Sequence, residues 1–148
     1  MSGSKLVFDI ETNGLLLDVT EFHCAVTYNI DTKEEKTYRD PYALVHDLKC
    51  ADLIIGHNII GYDIPALAKL TGIEVETECV DTLILAKLAY YDKDKGWSHS
   101  LDAYGERLGE KKGSYHEWEK YTEEMLEYNK QDVKVTYKLY QHLKRKTS

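Results

Sequence analysis

Lys5-Leu6-Val7-Phe8-Asp9-Ile10-Glu11-Thr12 alternates along its length, and that alternation governs how the rest of the chain is read. A period of two is the mark of a β-strand, here over Lys5–Ile10, with Val7, Asp9 and Glu11 on one face and Leu6, Phe8 and Ile10 on the other. Downstream, Phe22–Tyr28 and Lys36–Tyr38 flank Asn29-Ile30-Asp31-Thr32, the pattern of a hairpin. A short helix is predicted over Pro41–Lys49, with Asp40 as N-cap and Pro41 at the first helical position. Leu53–Gly56 reads as a short buried strand, followed by a loop and a helix from about Pro65 to Leu70. Thr82–Tyr90 and Ser100–Leu108 read as helices, Asp92–Trp97 and Gly109–Tyr115 as polar loops with glycine. Thr122–Lys146 is one long amphipathic helix, with Glu123 and Glu124 at its start and Lys144, Arg145 and Lys146 at its end, matching the helix dipole. Hairpin strands first, then strands alternating with helices, predict an α/β domain on a mixed β-sheet flanked by α-helices.

The chain of 148 residues has the size of a single domain, expected to span 1–148 with residues 1–4 (Met1-Ser2-Gly3-Ser4) as a flexible start. Hydrophobic residues make up 43% and charged residues 30%, a balance that points to a soluble globular protein, here expected to be a monomer. No apolar run approaches a membrane span and no signal peptide opens the chain, so no membrane partner is expected. Cys24, Cys50 and Cys79 form no paired framework; they read as reduced, buried small hydrophobes in a cytoplasmic protein. The net charge of −7 argues against a protein that tracks or tightly binds a nucleic-acid backbone and fits one that acts at a chain end better. A nucleic-acid substrate would have to be held weakly, by a few contacts at one end.

Four carboxylates carry the chemistry. Asp9 and Glu11, two residues apart at the end of a strand, converge and repel, although a solvated strand end presents the same pair. Asp63 precedes Ile64-Pro65, where it reads either as a helix N-cap or as a ligand-edge carboxylate beside the turn of Gly56-His57-Asn58 and Gly61-Tyr62. Asp132 shares a helical stripe with Tyr128, Val135 and Leu139, while Lys130, Lys134, Lys138 and Lys144 lie on the other side. An unpaired carboxylate on an apolar face demands a partner, either a core backbone donor or a cation. Nothing basic lies on these inward faces, and a shared pair of divalent cations would satisfy all four.

The order strand Asp9-x-Glu11, loop Asn58-x-x-x-Tyr62-Asp63 and helix Tyr128-x-x-x-Asp132 resembles the three motifs of the DEDD 3′–5′ exonuclease superfamily. Tyr128, four residues before the last Asp, marks the DEDDy subclass; the sister subclass has a His five before it, where this chain has Glu127. Asp9-Ile10-Glu11-Thr12-Asn13-Gly14-Leu15-Leu16, Val80-Asp81-Thr82-Leu83, Ser98-His99-Ser100-Leu101, Tyr104-Gly105-Glu106-Arg107-Leu108-Gly109 and Tyr128-Asn129-Lys130-Gln131-Asp132-Val133 extend the likeness. They resemble the proofreading exonuclease domain of family-A DNA polymerases from podophages, from Lys5 to about Leu143. No palm, fingers or thumb segment is present, and no polymerase site carries over.

The resemblance implies an RNase H-like (DnaQ-like) exonuclease fold and a 3′–5′ exonuclease acting on single-stranded or frayed 3′ ends of DNA. It also implies a host bacterial cytoplasm and, as a partner, a separate DNA polymerase. Two Mg²⁺ (or Mn²⁺) ions are implied as cofactors, which suits oxygen-only ligands. By the same resemblance Asp9 bridges both ions, Glu11 and Asp132 complete the water-polarising site, Asp63 holds the second ion through water, and Tyr128 orients the attacking water. Substrate contacts are expected from Thr12, from Leu15 as a wedge against the terminal base, and from His57, Asn58 and His99 along the groove, with a structural role as the alternative for each of these last three. Lys111 and Lys112 are candidates for phosphate contact, with a solvated basic face as the alternative. Two other functions stay open: an RNA 3′–5′ exonuclease, and a catalytically silent exonuclease fold serving as an interaction module.

Overall fold

A computed structural model describes residues 4–110, 115 and 117–147. The elements follow in the order β1 (Lys5–Thr12), β2 (Phe22–Asn29), β3 (Glu35–Tyr38), α1 (Pro41–Cys50), β4 (Leu53–Gly56), α2 (Ile64–Thr71), β5 (Cys79–Asp81), α3 (Thr82–Ala89), α4 (Leu101–Arg107) and α5 (Glu123–Thr147). One wide helical turn over Ile59–Asp63 leads into α2. The strands form a five-stranded sheet in the order β3-β2-β1-β4-β5. β1 and β2 pair antiparallel, as do β2 and β3, whereas β1, β4 and β5 run parallel. The C-terminal ends of the three parallel strands, at Asp9–Thr12, Gly56 and Asp81, therefore line one edge. In open α/β sheets that edge is where ligands bind.

Alternation in β1 sorts the core as the sequence predicts. Leu6, Phe8 and Ile10 pack with Leu44, Val45 and Leu48 of α1 and Ala66 and Leu67 of α2. Val7, on the opposite face, packs with Val26, Ile55 and Val133 of α5. A third cluster joins Val135, Leu139 and Leu143 of α5 to Ala86 of α3 and to Leu101 and Tyr104 of α4. α5 is thus covered on two sides, by the sheet and by α3 with α4, which fixes its rotation over β1. Asp40 caps α1 as expected, accepting from the Tyr42 N–H at 2.9 Å.

Several expectations need adjustment. β5 is a strand that the pattern did not reveal, because three residues carry no usable period. Ser4 is tied to the sheet through its carbonyl, which accepts from Asp52 N and Leu53 N; residues 1–3, like Lys111 and Lys112, lie outside the described residues. Of the cysteines, Cys24 alone is buried; Cys79 is half-buried and Cys50 is exposed at the end of α1, where the outer face needs no apolar filling.

Gly56 closes β4 against the wide turn. A Cβ there would lie 2.2 Å from Ile59 Cγ2 and 3.0 Å from the Phe8 carbonyl oxygen. Ile59 is fully buried and has nowhere to move. Gly56→Ala is therefore expected to destabilise the domain by about 1–3 kcal/mol through overpacking, measured by urea denaturation; wild-type stability would show that the turn relaxes freely.

Candidate active site

The last residues of β1 and the middle of α5 bring three acids together. One oxygen each from Asp9, Glu11 and Asp132 lies within 4.8 Å of the other two. Glu11 and Asp132 are buried and Asp9 is half-buried. Strand alternation puts Asp9 and Glu11 on the α5 side of the sheet. Val133 packs on Val7 and Val26, and this seats its neighbour Asp132 over the end of β1. Like charges this close in a partly desolvated pocket repel, and a set of carboxylate oxygens alone is the donor chemistry of a hard divalent cation.

Asp63 reaches the same strand end by another route. Its side chain makes no cap bond to α2, so the N-cap alternative is not realised. Asp63 Oδ2 instead accepts from the Ile10 N–H at 3.2 Å, between the two acids of β1. Burial holds the Asp63 carboxyl well above the usual carboxylate range, and the charges of Asp81 and Asp132 push the same way against the Ile10 hydrogen bond. It is not one of the three convergent acids, but it is pinned to the backbone beside them.

Asp81 shapes the turn that carries Asp63. Its Oδ1 accepts from Leu83 N at 2.9 Å, capping α3, and from Asn58 N at 2.8 Å, while Oδ2 accepts from Ile60 N at 2.9 Å. Asn58 sits in the left-handed region at φ 64°, and Gly61 leaves room for its side chain, since a Cβ there would meet Asn58 Oδ1 at 2.4 Å. Tyr62 then links this turn to the loop after β1: its hydroxyl donates to the Gly14 carbonyl and bonds Thr12 Oγ1. Lys69 Nζ holds the Leu16 and Leu17 carbonyls, both at 3.0 Å.

A groove of about 510 Å³ opens beside Glu11, lined among others by Thr12, Leu15, Asn58, Tyr62 and Trp118. Leu15 is 76% exposed at its lip, although Leu16 packs against the core. Trp118 is anchored by its carbonyl to His23 Nε2 at 2.7 Å and meets the Tyr128 ring edge-on at 5.6 Å. Tyr115 packs on the same Tyr128 ring at 6.1 Å, so an aromatic cluster holds the tyrosine.

Residues 4–148 match the family described as 3′-5′ exonuclease. The chain belongs to the 3′–5′ exonuclease family. It is 36% identical to the DNA-directed DNA polymerase of Escherichia phage T7, over 93% of this chain and 26% of that protein. The domain thus spans about a quarter of the length of that curated relative. Among solved structures it is similar to Brucella melitensis NrnC with bound Mg²⁺, with TM-score 0.74 and 22% identity, covering 96% of this chain and 72% of that one. It is also similar to Escherichia coli RNase D, an exoribonuclease, with TM-score 0.69 and 17% identity, covering 97% and 39%. At these identities the structures report the fold, which is the DnaQ-like, RNase H-like exonuclease fold.

Within this exonuclease domain, Thr12, Leu15 and Asn58 line the groove. His57 and His99 do not, among the described residues, and both are engaged elsewhere. His57 Nδ1 pairs with Thr82 Oγ1 at 2.8 Å and Nε2 with the His99 carbonyl at 2.9 Å. His99 Nδ1 pairs with the Tyr104 hydroxyl at 2.8 Å, and burial, then Lys87 and Arg107, lower its pKa. The pair ties the end of β4 to α3 and to the loop before α4. Trp118, on the groove wall, and Asn129, bonded to Asp9, join the site without belonging to the sequence motifs' acids or tyrosine. Asn129 had a usable signal, since it sits three residues before Asp132 on the same helix face.

Proposed function

We propose that the chain is a metal-dependent 3′–5′ exodeoxyribonuclease that removes nucleotides from single-stranded or frayed 3′ ends by phosphodiester hydrolysis. The observation that carries this is the convergence of Asp9, Glu11 and Asp132 at the end of β1, with Asp63 bonded to the strand between them. The donor set fits Mg²⁺ or Mn²⁺, being all carboxylate oxygen, and the related fold of NrnC binds Mg²⁺. Asp9, Glu11 and Asp132, with Asp63, would hold two such ions, which supply an activated water and relief of charge on the phosphate. The protein's own part is positioning. β1 and α5 fix the carboxylates, Tyr128 in its aromatic cluster orients the attacking water, and the groove takes the terminal nucleotide, with Leu15 and Trp118 as apolar walls.

DNA is the substrate that the polymerase relative supports, and proofreading for a polymerase follows from the same likeness. The acidic balance of −7 fits a short grip on one monomeric domain at a chain end. Digestion of DNA and RNA oligonucleotides of one sequence, side by side, tests the choice. Faster loss of the DNA is expected; faster loss of the RNA would make this an exoribonuclease, and loss of neither an interaction module.

Tyr128→Phe separates orientation from charge. It keeps the ring contacts with Trp118 and Tyr115 and removes only the hydroxyl. Single-turnover cleavage is expected to slow by about 10–100-fold, the equivalent of one hydrogen bond of about 1.5–3 kcal/mol and less than any carboxylate change. Complete inactivity would give the hydroxyl a larger role than orienting water.

A further inference from the structure

The acids of the site have a polar support that their own chemistry does not account for. Asn129 is fully buried on α5, one turn before Asp132. Its Nδ2 donates to Asp9 Oδ2 at 3.0 Å and to the Asp9 carbonyl at 3.2 Å. On the other side, the thiol of Cys24, also fully buried, donates to Asn129 Oδ1 at 3.5 Å. Cys24 lies on β2 directly across from Glu11. A relay thus runs from β2 through a side chain of α5 to β1.

Each link has one permitted direction. Asp9 offers two acceptors, so the amide must turn its NH₂ toward β1; the reverse would set Oδ1 against two oxygens. That leaves Oδ1 facing the Cys24 thiol, which is a donor. The two bonds to Asp9 join its carboxylate to its own backbone and fix the side-chain torsions.

We propose that Asn129 is the positioning residue that aims Asp9 at the metal site, and that Cys24 holds Asn129 in the required orientation. The inference rests on the metal-dependent reading above and adds to it a pair of residues outside the four acids and the tyrosine. A carboxylate facing two other acids rotates away from them unless something holds it. Outer hydrogen-bond partners of metal ligands typically change metal affinity or activity by about 10–100-fold when removed.

The test compares wild type, Asn129→Ala, Cys24→Ala and Cys24→Ser by thermal unfolding titrated with Mg²⁺ and by kcat and KM on an oligonucleotide. For Asn129→Ala, the Mg²⁺ concentration giving half the thermal shift is expected to rise by about 10–100-fold. Its kcat falls at limiting metal and recovers partly at high metal, with KM for DNA little changed. Cys24→Ala shows a smaller change in the same direction, and Cys24→Ser, which keeps a donor, returns toward wild type. Should Asn129→Ala fail to fold, the contrast between the two Cys24 variants decides. Unchanged metal midpoints and kcat in folded Asn129→Ala, or Cys24→Ser matching Cys24→Ala, would overturn the proposal while wild type still responds to metal. A wild type with no metal response would overturn the functional reading and this inference together.

Discussion

Asp132→Asn is expected to abolish cleavage while leaving the metal-free protein at least as stable as wild type. Asp132 is buried and contributes an oxygen within 4.8 Å of Asp9 and Glu11. The amide has nearly the same shape, so the packing of Val133 on the sheet and of Val135 on α3 and α4 is retained. What changes is charge: one of three crowded negative groups is lost, and the repulsion falls. In the metal-free protein that is a gain or neutral. In the reaction it removes a ligand anion, and several kcal/mol of transition-state stabilisation amounts to about a thousandfold in rate or more. Oligonucleotide digestion and thermal unfolding in EDTA measure the two halves separately. A variant that unfolds would assign Asp132 a structural role, whereas one that still cleaves would remove it from the site.

Divalent metal should stabilise the domain, and more so as pH rises. At a Mg²⁺ concentration about 100 times its Kd, binding adds about 2.7 kcal/mol, or roughly 5–10 °C in Tm for a chain of this size. The pH dependence follows from Asp63, whose carboxyl burial holds well above the usual range. An acid raised in the folded state contributes stability that is fully present below its unfolded pKa, about 3.9, and is lost as pH climbs through the folded value. The metal-free protein therefore weakens from acid toward neutral pH through this group. A bound cation favours the carboxylate and cancels the loss, so the Mg²⁺-induced shift in Tm widens over the same window. Asp47 acts in the opposite sense: burial raises it, but hydrogen bonds from Lys36 and Tyr38 outweigh that and lower it. Its contribution, lost as pH falls, is common to both samples and drops out of the difference. Tm measured with Mg²⁺ and with EDTA at pH 5.5 and pH 8 checks this. An equal shift at both values would mean that Asp63 is already ionised in the empty site.

The parts of the fold that depend on local period were legible. The alternation of β1 assigned Leu6, Phe8 and Ile10 to one core and Val7 to the other, as the packing has it. Helical spacing likewise turned Asp132 away from its lysines and toward the acids of β1. Asp63 was undecided because its environment is not local: a lone Asp before Ile-Pro reads as a cap until the Ile10 N–H, 53 residues away, is seen to take it. β5 is too short to show a period. His57 and His99 had the residue type of groove contacts or of structural ties, and the partners that engage their rings come from α3, α4 and the loop between them. Asn129 lay one turn from Asp132 in plain view; what its amide meets on β1 needed the packing of α5.

Digestion of a 5′-labelled single-stranded DNA with Mg²⁺, beside EDTA and Asp9→Ala controls, tests the central claim most directly. The expected result is a ladder shortening from the 3′ end, absent from both controls. A ladder that survives Asp9→Ala would contradict a site built on these carboxylates, and no cleavage with any divalent cation would contradict an exonuclease altogether.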